Sequence, residues 1–305
     1  MKIFAAVVAI LLPLCAIAAD YQLAPRKIAP DTYVIEGLNE DFSFANGGNI
    51  VNTAFIVTDA GVVVIDSGPS KRYGEQLHKA IATVTDQPVT VVYITHLHPD
   101  HFLGNQAFAE ADIRALAGTI EGIKLQGDDF ASNMYRLVGD WMRGTEPVVP
   151  QSIVDAGDVT IGSHQLELIE FKGHSNADLA IFDHTTGVLF SGDLVFNHRT
   201  PTTPHADLEQ WLAALKQLQQ LPFKVLVPGH GSVIDNGDAI DLTADYLTWL
   251  DRALTEAAEQ GVSMAEALSL PIPTRFESLA VLRDEYPRSV SHLYPTLEQR
   301  ALDVP

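Results

Sequence analysis

Short apolar runs and amphipathic stretches alternate along most of this chain. Runs rich in β-branched and aromatic residues, bounded by Gly, Pro, Asn or Asp, are typical of strands, whereas longer stretches with one apolar face are typical of helices. The pattern predicts strands over residues 32–37, 50–58, 62–66, 89–94, 113–116, 159–161, 165–171, 179–182, 188–191 and 224–227. It predicts helices over residues 71–84, 102–109, most of 118–144, 208–221 and 238–260, with short helices and turns beyond.

These elements form two β-rich halves, each interleaved with helices. The Asp59-Ala60-Gly61 turn between two apolar runs indicates a hairpin in the first half. Such a pattern predicts an α/β fold in which two mixed β-sheets pack face to face with helices outside, an αββα four-layer sandwich. We expect one domain over residues 19–305, with a helical C-terminal extension from about residue 238. The helical stretch 118–144 could cover a site as a lid, although packing explains its aromatic and Met residues equally well.

The N-terminal residues have the pattern of an export signal. Residues 1–18 contain Lys2, an apolar core and a final Ala-x-Ala arrangement, which predicts a signal peptide cleaved after Ala18, with a retained anchor as the alternative. The chain's 1 cysteine is Cys15, and Leu14 before it does not fit a lipoprotein signal. The mature chain would therefore contain no disulfide and no cysteine ligand or nucleophile. We expect a secreted protein, periplasmic if the source is a Gram-negative bacterium.

The composition narrows the range of partners. A hydrophobic content of 47% with 19% charged residues is typical of a globular protein. The formal net charge of −20 argues against nucleic acid or an anionic membrane surface as a partner, since both require a basic footprint. We expect a small-molecule substrate and no membrane insertion after signal cleavage, while the sequence leaves the oligomeric state open.

The strongest chemical signal is the run Thr95-His96-Leu97-His98-Pro99-Asp100-His101, which directly follows the strand predicted at 89–94. His96 and His98 are two residues apart on an extended segment and therefore lie on the same side. Pro99 turns the chain, so Asp100 and His101 leave in a different direction. One short stretch can thus supply ligands to two neighbouring cations. The alternative is a surface loop that is rich in histidine by chance.

Three further candidate ligands follow predicted strands at glycine positions. His174 follows Gly173, Asp193 follows Gly192 and His230 follows Gly229. Glycine allows the sharp bend and close approach that direct a side chain into a crowded cleft. Each of the three could by itself be a packed or solvated residue, but their order behind the histidine run favours a metal site. His78, His164, His184, His205 and His292 show no ligand pattern and are interpreted as structural or solvated.

With these motifs, together with the Asp66-Ser67-Gly68 turn, residues 32 to about 235 resemble the metallo-β-lactamase superfamily of metallohydrolases. The resemblance implies that His96, His98 and His174 bind one metal ion. Asp100, His101 and His230 would bind the second ion, and Asp193 would bridge the two. Imidazole with carboxylate suits Zn²⁺, although iron or manganese accepts the same ligands.

Two divalent cations at such a site would favour hydrolysis, because a water held between them becomes a hydroxide near neutral pH and can attack an ester, thioester, lactam or related bond. Asp100 could orient that hydroxide or pass its proton to the leaving group. The segment 196–201 leaves Asp193 and should line the cleft mouth, where Arg199 is a candidate anchor for a substrate anion, with a surface salt bridge as the alternative.

Within the superfamily, the overall length and the 65–74 segment look closest to exported members found beside periplasmic quinoprotein and sulfur-oxidation systems. Asp193 stands where the typical zinc lactamases have Cys, and the Lys three residues later is missing, so β-lactamase activity as the main function is an alternative. An aspartate at this position resembles the thioesterase and glyoxalase II branches of the superfamily. The Gly173-His174-Ser175 segment, however, departs from the motif that is usual in those branches. Two more alternatives are a mononuclear iron persulfide oxygenase using His96, His98 and Asp193, and a non-catalytic metal-binding protein.

Overall fold

The computed structural model describes residues 20–303. The predicted signal peptide, residues 1–18, lies outside the described residues. The first sheet has seven strands in sequential order. They are β1 (Arg26–Ala29), β2 (Thr32–Ile35), β3 (Thr53–Thr58), β4 (Gly61–Ile65), β5 (Val89–Tyr93), β6 (Asp112–Ala115) and β7 (Ser152–Ile153). Neighbours from β1 to β4 are antiparallel and those from β4 to β7 are parallel, so the sheet is mixed.

The second sheet has five strands, in the order β12-β11-β10-β9-β8. They are β8 (Gly157–Ile161), β9 (His164–Phe171), β10 (Asp178–Asp183), β11 (Val188–Phe196) and β12 (Val225–His230). All neighbours are antiparallel except β11 and β12, which are parallel. The connection from β11 to the parallel β12 contains a helix, as parallel pairs require a crossover.

Seven α-helices occur among residues 20–303. They are α1 (Lys71–Ala82), α2 (Pro99–Phe102), α3 (Ala117–Val138), α4 (Leu208–Leu218), α5 (Asp238–Glu259), α6 (Met264–Ala267) and α7 (Leu282–Leu302). Ser70 caps α1 by accepting from the Tyr73 amide, and Asp207 caps α4 by accepting from the Gln210 amide. In the part of the chain that the structure describes, no helix combines the length and apolarity needed to cross a membrane.

The buried apolar side chains fall into three groups that define the layers. One group joins alternate residues of the two sheets, including Ile56, Val63, Ile181 and Phe190. A second group lies between the first sheet and the helices α1 and α3, and a third lies between the second sheet and the helices α4, α5 and α7. Two mixed sheets flanked by helices form the αββα sandwich that the sequence predicts, and the fold prediction is confirmed.

Several element predictions were wrong in extent. Strand β11 continues to Phe196, five residues beyond the predicted end, so Asp193 lies within a strand and not after it. The predicted helix at 102–109 is the short α2, which already contains Asp100 and His101, followed by a 3₁₀ turn at Asn105–Phe108. Proline is well tolerated in the first turn of a helix, where its missing N–H would have no partner, and this explains why α2 begins at Pro99.

Residues 261–305 were expected to be short helices and turns, but α7 is a 21-residue helix despite Pro287 and Pro295 inside it. Each proline removes one backbone hydrogen bond, and packing of Tyr286, Val290 and Tyr294 into the third apolar group offsets this loss. The strands β1 and β7 were not predicted, because β1 is a short polar edge strand and β7 has only two residues.

Candidate metal centre

Four buried side chains, contributed by segments of both sheets, converge on one point. They are His96, His98, His174 and Asp193, whose candidate ligand atoms all lie within 4.8 Å of one another. His98 Nδ1 lies 3.0 Å from His96 Nε2 and 2.8 Å from His174 Nε2, and Asp193 Oδ2 lies 3.4 Å from His174 Nε2. Ligands about 2.0–2.1 Å from a tetrahedral Zn²⁺ are about 3.3 Å apart, so this spacing fits such an ion.

A second group lies directly beside the first. It consists of Asp100, His101 and His230, again with ligand atoms within 4.8 Å of one another and all buried. His230 Nε2 lies 3.4 Å from Asp100 Oδ2, and His101 Nε2 lies 3.8 Å from the same oxygen. The described residues offer no hydrogen-bond partner to Asp100 Oδ2, His101 Nε2 or Asp193 Oδ1. Buried polar atoms without a partner are costly, and a bound cation would satisfy all three.

Asp193 contacts both groups. Its Oδ1 lies 3.2 Å from His101 Nε2, while its Oδ2 lies 3.3 Å from His230 Nε2 and 3.4 Å from His174 Nε2. The structure therefore brings together all seven residues that the sequence pattern singled out, in two groups of ligands that share one carboxylate. This donor set fits two divalent cations.

The two sheets contribute different parts of this centre. The first sheet supplies the run from His96 to His101, because β5 ends at Tyr93 and α2 starts at Pro99. The second sheet supplies His174 from the turn after β9 and His230 from the last position of β12. The centre can therefore form only when the two sheets pack together.

An irregularity in β11 directs Asp193 into the centre. Pairing with β12 runs from Gly192 opposite Pro228 to Phe196 opposite His230, so the intervening residues bulge out of the ladder. Gly192 has φ 50°, in the left-handed region, and an added Cβ there would lie 2.9 Å from Thr95 Cβ. Glycine is therefore required where this bulged strand passes the end of β5.

Hydrogen bonds at the far ring nitrogens orient four of the five histidines. The Nδ1 atom of His101 donates to Asp66 Oδ2 over 2.7 Å, and Nδ1 of His230 donates to the Ile50 carbonyl over 2.8 Å. The Nδ1 atom of His96 lies 3.0 Å from Thr95 Oγ1, whose hydroxyl also bonds Asp66. In the neutral form with the proton on Nδ1, each of these rings would present the Nε2 lone pair to a cation.

The fourth of these histidines is His98, which uses the opposite nitrogen. Its Nδ1 faces His96 and His174, and its Nε2 lies 2.8 Å from Nδ1 of His205. Sequence reasoning missed His205, which it interpreted as structural or solvated. No local pattern marks this residue, because it lies 107 positions from His98 in a loop without periodicity.

The local environment keeps three of the imidazoles neutral. Burial lowers the pKa of His96 and His98 well below the ordinary value and lowers that of His174 to about 4. A neutral imidazole has the lone pair that a metal ion needs, whereas an imidazolium has none.

His101 and Asp193 behave in the opposite way. Burial would lower the pKa of His101, but the carboxylates of Asp193, Asp66 and Asp100 outweigh it and hold the pKa well above its usual range. Burial would likewise raise the pKa of Asp193, and the His230 and His101 rings bring it well below its usual range. The surroundings thus favour positive charge at the position that a second cation would take.

The structure places Arg199 differently from the sequence expectation. The prediction was a substrate anchor at the cleft mouth, but the side chain is 3% exposed and its guanidinium donates to the Glu40 carbonyl oxygen. Arg199 and Ala280 form an isolated parallel bridge, so the backbone here joins the segment before α7. These contacts favour a structural role and do not support the anchor.

The remaining histidines are not among the seven candidate ligands. His164 is buried and bonds Asp183, His78 and His292 are exposed, and His184 is paired with Glu167 at the surface. His184 also forms a loose group with Asp158 and Glu167, as exposed acidic residues commonly do. On the cleft side, Phe130 of α3 approaches His98 and His205, with ring centroids 6.2 Å from each.

Comparisons with known proteins agree with this geometry. The chain is 25% identical over 231 residues to the atrochrysone carboxyl ACP thioesterase of Aspergillus fumigatus, covering 71% of this chain and 64% of that protein, which is less than two thirds of its length. It is 24% identical over 228 residues to the acyl-coenzyme A thioesterase MBLAC2 of Gallus gallus, covering 67% of this chain and 81% of that protein.

Solved structures show the same fold. A metallo-beta-lactamase from Pontibacter korlensis superposes with a TM-score of 0.60 at 25% identity, covering 74% of this chain and 99% of that chain. The sec-alkylsulfatase Pisa1 from Pseudomonas sp. superposes with a TM-score of 0.70 at 16% identity, covering 93% of this chain and 51% of that chain. The family model of the metallo-beta-lactamase superfamily matches residues 46–230, which contain all seven candidate ligands, and the chain therefore belongs to that superfamily.

Proposed function

We propose that this protein is an exported hydrolase that binds two divalent cations and cleaves an ester, thioester, lactam or related bond of a small substrate. The observation that carries the proposal is the convergence of seven buried side chains into two groups that share Asp193. Zinc is the first choice, because three imidazoles with one carboxylate are typical of its sites, and iron or manganese is the alternative.

When bound, two such cations would polarise the scissile bond and make a water molecule acidic enough to react near neutral pH. The chain's own part is to hold the neutral rings in place and to accept the proton. Asp100 is suited to the second task, because its Oδ2 is buried, has no hydrogen-bond partner among the described residues and lies 3.4 Å from His230 Nε2. We therefore assign Asp100 both ligand and proton-handling roles.

Thioesters are the first substrate class to test, because relatives of this chain are named as thioesterases of acyl carrier protein and coenzyme A substrates. Lactams are the second, because a named metallo-beta-lactamase matches at 25% identity. A mononuclear iron persulfide oxygenase would need only one of the two groups. The burial of Asp100, His101 and His230 as a second complete set favours the dinuclear hydrolase.

The test is a zinc-loaded protein assayed on a panel of esters, thioesters, lactams and alkyl sulfates, with metal content measured in parallel. His230→Ala should remove one cation and reduce hydrolysis by at least about 100-fold, because a direct ligand matters at least as much as the residues that orient ligands. His78→Ala, an exposed histidine, is the matched control. Wild-type protein that binds two metal ions but cleaves nothing on the panel would favour a binding protein, and activity retained by His230→Ala would exclude the proposed mechanism.

Export is the remaining part of the proposal, and residues 1–18 support it by their signal-like pattern. The mass of the purified native protein should correspond to a chain that begins at Ala19. An intact N-terminus would instead support a retained anchor.

A further inference from the structure

His205 lies in the loop between β11 and α4 and contacts the metal centre from outside. Its Nδ1 is 2.8 Å from Nε2 of His98, and the two ring centroids are 5.1 Å apart. His98 is buried, whereas His205 is partly exposed at the cleft. This is therefore a contact between a candidate ligand and a side chain that is not itself one of the seven.

The contact matters because His98 differs from the other candidate ligands. Its Nδ1 faces the Nε2 atoms of His96 and His174, so Nδ1 must present its lone pair and Nε2 must carry the proton. The opposite tautomer would place an N–H at the point where the cation binds. An acceptor at Nε2 selects the correct tautomer, and Nδ1 of His205 is the acceptor in place.

The last helix holds the loop that carries His205. Thr202 Oγ1 donates to Glu285 Oε1 over 3.0 Å, and Thr203 Oγ1 donates to Ser289 Oγ over 2.8 Å. Thr203 and Ser289 are both fully buried. Both partners lie on α7, which is outside the residues 46–230 that match the superfamily model. The C-terminal helix thus fixes a loop next to the metal centre.

We propose that His205 is a positioning residue that holds His98 in the metal-binding tautomer and orientation, and that α7 sets the place of His205 through Thr203 and Ser289. This rests on the proposed metal binding. His205 would orient a metal ligand without binding the cation itself, and the C-terminal helical region would have a role in the site. Outer-sphere partners of this kind typically account for about 10- to 100-fold in metal affinity.

The test compares wild type, His205→Ala and His205→Asn, with His78→Ala, an exposed histidine on α1, as the control. Zinc affinity is measured by competition with a chromophoric chelator, and the visible absorption of the cobalt-substituted protein reports ligand geometry. His205→Ala should weaken the tighter zinc site by about 10- to 100-fold and change the cobalt spectrum. His205→Asn places an amide oxygen near the original Nδ1 and should restore most of both properties.

The outcomes are distinguishable. Wild-type protein that binds no zinc would overturn the proposed function itself. The positioning role would be overturned if the zinc affinity of His205→Ala were within about threefold of the wild-type affinity. It would also be overturned if His205→Asn lost as much zinc affinity as His205→Ala. Thr203→Val combined with Ser289→Ala removes both hydroxyls and should also weaken zinc binding. Unchanged zinc affinity in a folded double variant would show that α7 does not set the position of His205.

Discussion

Replacement of Gly229 by Ala tests the assembly of the metal centre most directly. A Cβ at this position would lie 1.9 Å from Asp193 Oδ1 and 2.8 Å from the Gly192 carbonyl carbon. Because Cβ atoms do not approach other heavy atoms within 3.0 Å, the carboxylate oxygen must move by about 1 Å or the β11 and β12 backbones must separate. The proposed shared ligand is therefore displaced without any change in its chemistry.

The displacement exceeds the tolerance of a metal site, which is about 0.5 Å. We expect zinc affinity to fall by at least about 100-fold, equivalent to about 2.8 kcal/mol at 1.4 kcal/mol for each factor of ten. Overpacking should cost about 1–3 kcal/mol of folding stability in addition. Circular dichroism and thermal melting measure the second effect, so the loss of metal can be separated from the loss of fold.

Chelator competition and hydrolysis of the best panel substrate are the assays. Gly237→Ala is the control, because nothing lies within 4 Å of its Cβ and Gly237 is not among the glycines with positive φ. A folded Gly229→Ala protein that binds zinc within about threefold of wild type would refute the geometry described for Asp193.

Three further predictions concern other parts of the molecule. Asp183→Asn should destabilise the fold by about 1–3 kcal/mol at pH 7. Burial would raise the pKa of Asp183, but hydrogen bonds from His164 and Thr186 outweigh it and lower the pKa. This stabilisation is therefore present above the unfolded pKa and is lost as the pH falls through the folded pKa, and a wild-type advantage in melting temperature that does not shrink as the pH falls below 3.8 would contradict it. Trp211→Phe leaves the Leu194 carbonyl oxygen without the indole N–H donor 2.9 Å away and should cost about 1–3 kcal/mol in denaturant unfolding, whereas an unchanged midpoint would show that the bond contributes nothing. Removal of zinc with a chelator should lower the melting temperature by about 5 °C or more, because a ligand at 100 times its Kd stabilises by about 2.7 kcal/mol, and identical melts with and without chelator would contradict folded-state metal binding.

The sequence predicted those features that depend on neighbouring residues. The β-branched runs before Thr95 and before Pro228 are strands because such side chains suit a buried pleated surface. The candidate ligands His96, His98, Asp100 and His101 could be identified because all four lie within six residues and follow one strand. The distant candidates His174, Asp193 and His230 could be identified because each follows a glycine in a recognisable order.

The structure corrected predictions that depend on what packs against a segment. The length of β11 and the bulge at Asp193 follow from pairing with β12, which periodicity within β11 does not reveal. The helix α7 persists through two prolines because its apolar side chains pack on α5, and propensity alone would have ended it. Arg199 was expected at the cleft mouth, and its contacts with Glu40 and Ala280 depend on segments far away in the sequence.

By itself, the sequence determined the αββα fold class, the superfamily and the seven candidate ligands, because short-range spacing and alternation encode these features. Only the tertiary structure decided which ring nitrogen each histidine presents and which groups hold the far side of each ring. It also decided that His205 and α7 adjoin the centre. The reason is physical: the contact between His205 and His98 joins residues 107 positions apart, and it exists only after the two sheets and the last helix have packed together.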